Sequence, residues 1–106
     1  MPADLTRGFH LEMLEVYRRA AAECGYRPQR FLAMVEERGG LEAARSLLAK
    51  SQPSEGLAIL WEHQRLDLSM EATVCRQPWH KLFTESEIAV ARKRLDDLGY
   101  LPEEPE

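Results

Sequence analysis

The chain has 106 residues, of which 44% are hydrophobic and 30% are charged. This length allows one domain, with or without a tail, and excludes a TIM barrel, a full dinucleotide-binding pair and a kinase. The formal net charge is −4, and Glu103 to Glu106 carry three of those charges, so the rest of the chain is almost neutral. Such a composition is typical of an ordinary soluble globule and not of a disordered chain.

The residue types favour helices. Leucine (15) and alanine (12) dominate, whereas valine, isoleucine and threonine together number 9. Helices favour Leu and Ala and strands favour β-branched residues, so the composition predicts an all-α fold. The sequence has no apolar run long enough to span a membrane and no secretory signal at its start. We therefore expect a cytoplasmic protein, in which Cys24 and Cys75 form no disulfide.

Apolar residues at spacings of three and four predict three helices in the first half of the chain. The first runs from about Leu5 to Cys24 and ends at Gly25, since glycine takes the left-handed conformation of a C-cap at low cost. The second runs from about Pro28 to Arg38. The third runs from about Leu41 to Lys50.

Three further helices are predicted in the second half. The fourth follows an N-cap at Ser54 and carries Trp61, which we expect in the core. The fifth is capped by Asp67 or Ser69. The sixth begins at a capping box, Thr84–Glu87. Short joins predict a single compact helical bundle over residues 1–102, followed by a frayed acidic tail over residues 103–106.

The tetrapeptide Gly-Tyr-x-Pro occurs twice, at 25–28 and at 99–102. We interpret both copies as the same helix ending, with the tyrosine folded back on the last turn. The alternative is a duplicated binding unit.

Several segments from residue 25 onward carry a resemblance to a known family. They are Gly-Tyr-Arg-Pro-Gln-Arg-Phe-Leu-Ala-Met-Val (25–35), Gly-Gly-Leu-Glu-Ala-Ala-Arg-Ser-Leu-Leu (39–48), Ser-Glu-Gly-Leu-Ala-Ile-Leu-Trp-Glu (54–62), Arg-Leu-Asp-Leu-Ser-Met-Glu (65–71) and Leu-Phe-Thr-Glu-Ser-Glu-Ile (82–88). Over about 90 residues the chain resembles a family of small bacterial all-helical proteins to which no function is assigned. Members sometimes occur near restriction-type or mobile-element proteins. The resemblance therefore implies a link to bacterial DNA processing or defence, and it carries over no catalytic residue.

A polar cluster in the middle of the chain is the first candidate site. Carboxylates near a histidine suit acid–base chemistry or metal binding, but the spacing fits no known catalytic or metal motif. The structural alternative is that Asp67 caps a helix while Arg65 pairs with Asp67 or Glu71. The cluster consists of Glu62, His63, Arg65, Asp67 and Glu71.

A second candidate is an arginine-rich surface for nucleic acid. If the two Gly-Tyr-x-Pro junctions are neighbours, their arginines would bind phosphates while Tyr26 and Tyr100 stack on bases. The alternative is a set of solvated helix faces neutralised by nearby carboxylates. The arginines concerned are Arg18, Arg19, Arg27, Arg30, Arg92 and Arg94.

The turn Trp79-His80-Lys81 is the candidate for contact with a partner protein, the alternative being packing of the turn on the core. The three histidines, His10, His63 and His80, belong to different predicted elements, so we expect no metal site and no cofactor. Three functions compete: a non-enzymatic protein-interaction or accessory module, which we favour; a nucleic-acid-binding module; and an enzyme built on the polar cluster.

Overall fold

The structure is a computed structural model that describes residues 2–101, with side chains from Leu5 onward. This range is helical and contains no strand, which confirms the predicted all-α fold. The tail predicted over residues 103–106 lies outside the described residues. Six α-helices follow one another: α1 (Pro2–Cys24), α2 (Gln29–Arg38), α3 (Gly40–Leu48), α4 (Glu55–Glu62), α5 (Met70–Cys75) and α6 (Glu85–Asp96). Two 3₁₀ helices, Leu66–Leu68 and Trp79–Leu82, flank α5.

The core forms between α1 and the helices that pack on it. Phe9, Met13, Val16 and Ala20 recur at spacings of four and three on α1, and all four are buried. Helix α1 packs against α3, α2 pairs with α3, and α5 pairs with α6. All six residues of α5 are buried, so α5 lies inside the molecule and not on its surface. No helix within residues 2–101 has the length and apolar character needed to cross a bilayer.

Helix α1 starts earlier than predicted, at Pro2 instead of about Leu5. Gly8 does not interrupt it. A Cβ atom at Gly8 would lie 3.0 Å from Cη2 of Trp79, so the glycine leaves room for the indole ring. Gly8 therefore lowers the helix propensity of α1 but leaves the space in which the Trp79 side chain packs.

A second glycine sets the distance between α1 and α3. A Cβ atom at Gly40 would lie 2.7 Å from Cα of His10, which is a backbone atom and cannot move aside alone. The Gly40 amide also donates a hydrogen bond of 2.9 Å to Nδ1 of His10. Because the first amides of a helix lack partners within the helix, this imidazole satisfies one from the neighbouring helix.

Several predicted helix ends are present, whereas Ser54 occupies the N-cap position of α4 without a capping hydrogen bond from its side chain. Gly25 and Gly99 have φ values of 67° and 78°, and the amide of the tyrosine after each donates back to the preceding helix. Thr84 forms the capping box with Glu87, with bonds of 2.8 and 3.1 Å. Of the two predicted caps for α5, Ser69 is the one that accepts from the Ala72 amide, at 3.1 Å.

The prediction that Trp61 lies in the core is wrong, since 49% of this residue is exposed. Helix α4 already buries Leu57 and Leu60. Trp61 follows Leu60 directly and therefore points about 100° away around the helix. Because α4 is apolar around most of its circumference, it cannot bury every apolar side chain, and Trp61 stays partly exposed.

Candidate functional site

The structure divides the predicted polar cluster into three parts. Glu62 and His63 are exposed at the end of α4, where Nδ1 of His63 lies 3.0 Å from the Ile59 carbonyl oxygen. Arg65 binds both carboxylate oxygens of Asp67, at 3.0 and 3.1 Å. Glu71 is buried and faces elsewhere. The five residues therefore do not converge on one reacting position.

Arg65 connects the first 3₁₀ helix to α1. Besides Asp67 it binds the carboxylate of Glu23, which also accepts from Arg19 at 3.0 Å. The hydrogen bond from Arg65 lowers the pKa of Asp67, and the bonds from Arg19 and Arg65 lower the pKa of Glu23. This network confirms pairing of Arg65 with Asp67 and not with Glu71.

Glu71 pairs instead with Arg94, one of the predicted nucleic-acid ligands. Nη1 of Arg94 lies 3.2 Å from Oε2 of Glu71, and both side chains are buried. Nη2 of Arg94 also donates to the carbonyl oxygens of Leu47 and Lys50, at 3.2 and 2.8 Å. The guanidinium thus binds two carbonyl oxygens at and just beyond the end of α3, where the helix no longer supplies every amide donor. The Leu47 carbonyl oxygen also accepts from the Lys50 amide, at 3.3 Å. The placement of Arg94 on a nucleic-acid surface is therefore corrected: its donors are directed inward.

The other arginines are not equivalent. Arg18 bonds Glu15 on its own helix at 2.9 Å, Arg19 bonds Glu23, and Arg92 is half-buried. Arg27 and Arg30 are exposed and form no ion pair with a described side chain. Of the six predicted arginines, Arg27 and Arg30 are therefore the two best placed to bind phosphates of a nucleic acid.

The partner-contact turn lies against the core. The ring of Trp79 packs edge-to-face on Phe9, with centroids 6.0 Å apart, and only Lys81 of the three residues is exposed. His80 is half-buried, and its Nδ1 has no hydrogen-bond partner among the described residues. The geometry of Trp79 matches the packing alternative. Within the described range, no three His, Cys, Asp or Glu residues are grouped to hold a metal ion.

A cavity that the sequence analysis did not predict lies between α1, the start of α2, the end of α3, α4 and the beginning of α5. Its volume is about 60 Å³, and it opens to the surface. We call it the tyrosine cavity. It is lined by Val16, Tyr17, Ala20, Tyr26, Pro28, Phe31, Leu47, Ser54, Gly56, Leu57, Leu60, Leu68, Ser69, Met70 and Glu71.

Four of the five segments that carry the family resemblance contribute to this cavity. Tyr26, Pro28 and Phe31 come from segment 25–35, and Leu47 comes from segment 39–48. Segment 54–62 and segment 65–71 contribute four residues each. Aromatic and aliphatic side chains make up most of the wall. A concave apolar surface with a few polar groups is the usual form of a binding site in a globular protein.

Gly56 makes the tyrosine wall possible. A Cβ atom at this position would lie 2.5 Å from the Tyr26 hydroxyl, so only glycine lets that ring lie across α4. Burial and the nearby Glu55 carboxylate raise the pKa of Tyr26. Helix propensity disfavours glycine inside a helix, so Gly56 is a sequence signal that could have pointed to a close approach at this position.

Some polar side chains that line the cavity form hydrogen bonds with described residues, and others do not. Tyr17 accepts a hydrogen bond from Gln29 at 3.2 Å, and Ser69 bonds the Leu66 carbonyl at 2.6 Å. Burial raises the pKa of Glu71, while its bond with Arg94 opposes the rise. The hydroxyls of Tyr26 and Ser54 make no hydrogen bond to a described residue. These two groups remain to bind a ligand.

A larger hollow of about 310 Å³ lies between the start of α4 and the end of α6. Its charged side chains are mostly engaged, since Arg94 binds Glu71 and Asp97 lies 3.4 Å from Nζ of Lys93. No aromatic residue lines it. The tyrosine cavity therefore has the better-formed wall.

Comparisons with protein-family models, curated proteins and solved structures found no match for this chain. The family resemblance of the sequence segments therefore stays a prediction. Any functional proposal rests on the geometry of the chain itself.

Proposed function

We propose that this chain is a non-enzymatic protein-interaction module whose tyrosine cavity receives one side chain of a partner protein. The observation that carries the proposal is the aromatic, apolar wall of a cavity that opens to the surface. Buried apolar anchors in pockets supply much of the binding energy of protein interfaces. An apolar side chain that enters the cavity removes its own surface and the apolar wall from water, which is favourable.

The size of the cavity favours a side chain over a cofactor. A cavity needs about 10–15 Å³ to hold one group the size of a water molecule or a methyl group. The 60 Å³ of the tyrosine cavity therefore holds roughly four such groups. Typical small-molecule pockets measure about 300–1,000 Å³. One branched aliphatic side chain matches the tyrosine cavity, whereas a nucleotide or a flavin exceeds it.

The test uses a substitution that fills the cavity. Ala20 is buried in its wall, and Ala20→Leu adds an aliphatic side chain there. The matched control is Ala33→Leu, because Ala33 is exposed on α2 and lies outside the lining. Circular dichroism and thermal melting establish that both variants fold before binding is compared.

Immobilised wild type and both variants are incubated with a lysate of the source cell, with and without nuclease. We expect a defined protein that wild type and Ala33→Leu retain, that Ala20→Leu loses, and that nuclease does not release. The retained protein is then purified and its affinity measured for all three chains. Equal affinity for folded Ala20→Leu and wild type would overturn the proposal.

A second candidate function, binding of nucleic acid, is favoured by the exposed charges of Arg27 and Arg30. Two phosphate contacts predict a log–log salt slope of roughly −1.8 for a DNA duplex. Fluorescence anisotropy at low salt measures it, with Arg27→Gln and Arg30→Gln combined against Arg18→Gln. Absence of binding, or equal loss in both variants, would remove this candidate.

A further inference from the structure

Two arginines are sequence neighbours of residues that line the tyrosine cavity. Arg27 lies between two lining residues, Tyr26 and Pro28, and Arg30 precedes a third, Phe31. Both arginines are exposed and form no ion pair with a described side chain. On the other side, Glu55 lies between the lining residues Ser54 and Gly56 and acts on Tyr26. The two arginines beside segment 26–31 therefore face one carboxylate beside segment 54–56. A partner segment with an aliphatic side chain and adjacent acidic residues is complementary to an apolar cavity flanked by these two arginines.

The chain itself carries such a segment. Leu101 is 79% exposed, more than any other large hydrophobic residue in the described range. The sequence continues Pro-Glu-Glu-Pro-Glu, which places three carboxylates within five residues of that leucine. The four carbon atoms of a leucine side chain match the roughly four water-sized groups that the cavity holds.

We infer that the tyrosine cavity binds Leu101 of a second copy of this chain, with the following glutamates beside Arg27 and Arg30. The inference rests on the proposed function of the cavity as a site for one side chain. When two copies exchange Leu101 reciprocally, the assembly closes as a two-fold dimer.

A second copy is favoured over the same molecule because Leu101 follows an anchored residue. The Tyr100 amide donates to the Leu95 carbonyl oxygen at 2.9 Å, and the Tyr100 side chain packs on the core. This ending holds the leucine in solvent at the end of α6, outside its own cavity. Binding within one molecule would require the helix ending to come apart.

The test is sedimentation equilibrium of the full chain over a range of concentrations. We expect wild type to dimerise weakly, and Leu101→Asp to be monomeric. The matched control is Leu11→Asp, because Leu11 is an exposed leucine on α1 that does not line the cavity. We expect this control to dimerise like wild type.

Charge reversal tests the two arginines. Arg27→Glu combined with Arg30→Glu should weaken dimerisation by about tenfold. Arg38→Glu should not, because Arg38 is exposed on α2 and neither of its sequence neighbours lines the cavity. Glu103→Lys with Glu104→Lys should restore dimerisation of the charge-reversed chain. Glu55→Gln should strengthen the wild-type dimer, because it removes the opposing charge near Tyr26.

Complementation tests the pairing directly. Leu101→Asp retains an intact cavity, and Ala20→Leu retains an intact leucine. Each should be monomeric alone, and the two should associate when mixed. A wild-type chain that is monomeric at every concentration overturns the inference, as does a dimer that folded Leu101→Asp leaves intact.

These outcomes are separable from the proposed function. A monomeric wild type whose capture of another protein is abolished by Ala20→Leu leaves the cavity as a docking site for that protein alone. Should Ala20→Leu fail to fold, the surface variants at Leu101, Arg27 and Arg30 still decide the inference.

Discussion

Arg94 and Glu71 form an ion pair that is almost completely buried, with 7% and 4% of their side chains exposed. Removing two charges from water is costly, and only a good geometry with further hydrogen bonds offsets that cost. Here the carbonyl oxygens of Leu47 and Lys50 supply the further bonds. The pair therefore joins α6 to α5 and to the end of α3.

The first prediction concerns removal of one partner. Arg94→Met leaves the Glu71 carboxylate buried without its cation and should cost about 3–5 kcal/mol in the free energy of unfolding. Combining it with Glu71→Leu should recover most of that loss, because no charge then remains buried. Urea unfolding of the three chains at neutral pH measures the effect.

Acidification provides the control for this first prediction. Burial raises the pKa of Glu71, and loss of the guanidinium raises it further, so protonation should neutralise the carboxyl in Arg94→Met. The cost of this substitution should therefore decrease as the pH falls. A cost that stays constant with pH, or a double variant as unstable as the single one, contradicts the prediction.

Much of the helical framework could be predicted from local sequence signals. The glycine ends at Gly25 and Gly99 and the capping box at Thr84 depend on residues within one or two turns of each other, and all three are present. The partner of Arg94 could not be predicted in this way, because 23 residues separate it from Glu71. Arg94 follows Arg92 and Lys93 in the sequence, and such a run of basic residues predicts an exposed position, not a buried one.

The site was less predictable than the fold, for a physical reason. The tyrosine cavity arises where five separate parts of the chain meet, and its wall depends on the close approach of Tyr26 to Gly56. Helix propensity treats a glycine only as a weak point. The exposure of Trp61 escaped prediction because α4 is apolar on more than one face, and periodicity alone does not choose between them.

The second prediction concerns the contact between α1 and α3. Gly40→Ala would normally stabilise a helix by about 0.5–1 kcal/mol. Here the new Cβ atom would lie 2.7 Å from Cα of His10, and overpacking of this kind costs about 1–3 kcal/mol. The expected net effect is a lower melting temperature, measured by circular dichroism.

Gly8→Ala is the comparison for Gly40→Ala. Its Cβ atom would meet the ring of Trp79 at 3.0 Å, and a side chain at the edge of the core has more room to shift than a helix backbone. We therefore expect a smaller loss than for Gly40→Ala. A rise in melting temperature for Gly40→Ala would show that the two helices separate without cost.

The third prediction concerns acid stability. Arg65 lowers the pKa of Asp67 in the folded chain, so the folded state binds a proton less readily than the unfolded state. The resulting stabilisation is present above the ordinary aspartate value of about 3.9 and is lost as the pH falls through the lower folded value. Asp67→Asn should therefore make the unfolding free energy less dependent on pH below about 4.

Glu71 changes the unfolding free energy with pH in the opposite direction to Asp67, and it does so at higher pH. Its raised pKa favours protonation of the folded chain, so its effect appears above the ordinary glutamate value of about 4.3. The control is Asp96→Asn, because Asp96 is exposed and forms no ion pair with a described residue. An equal change in slope for both aspartate variants would contradict the assignment to Asp67.

The fourth prediction concerns the two thiols, which are both free. Cys75 is 1% exposed, and burial raises its pKa to about 11. The thiolate is the reactive form, so at pH near 8 Cys75 lacks both the reactive species and access to the reagent. Cys24 is half-buried at the end of α1 and is open to attack without unfolding of the core.

Ellman's reagent should therefore give one fast phase in native protein and a second phase at the rate of unfolding. Cys24→Ser should remove the fast phase and leave the slow one unchanged, and denaturant should merge the two phases in wild type. A fast reaction of Cys75 in native Cys24→Ser would show that α5 opens to solvent far more readily than its complete burial implies.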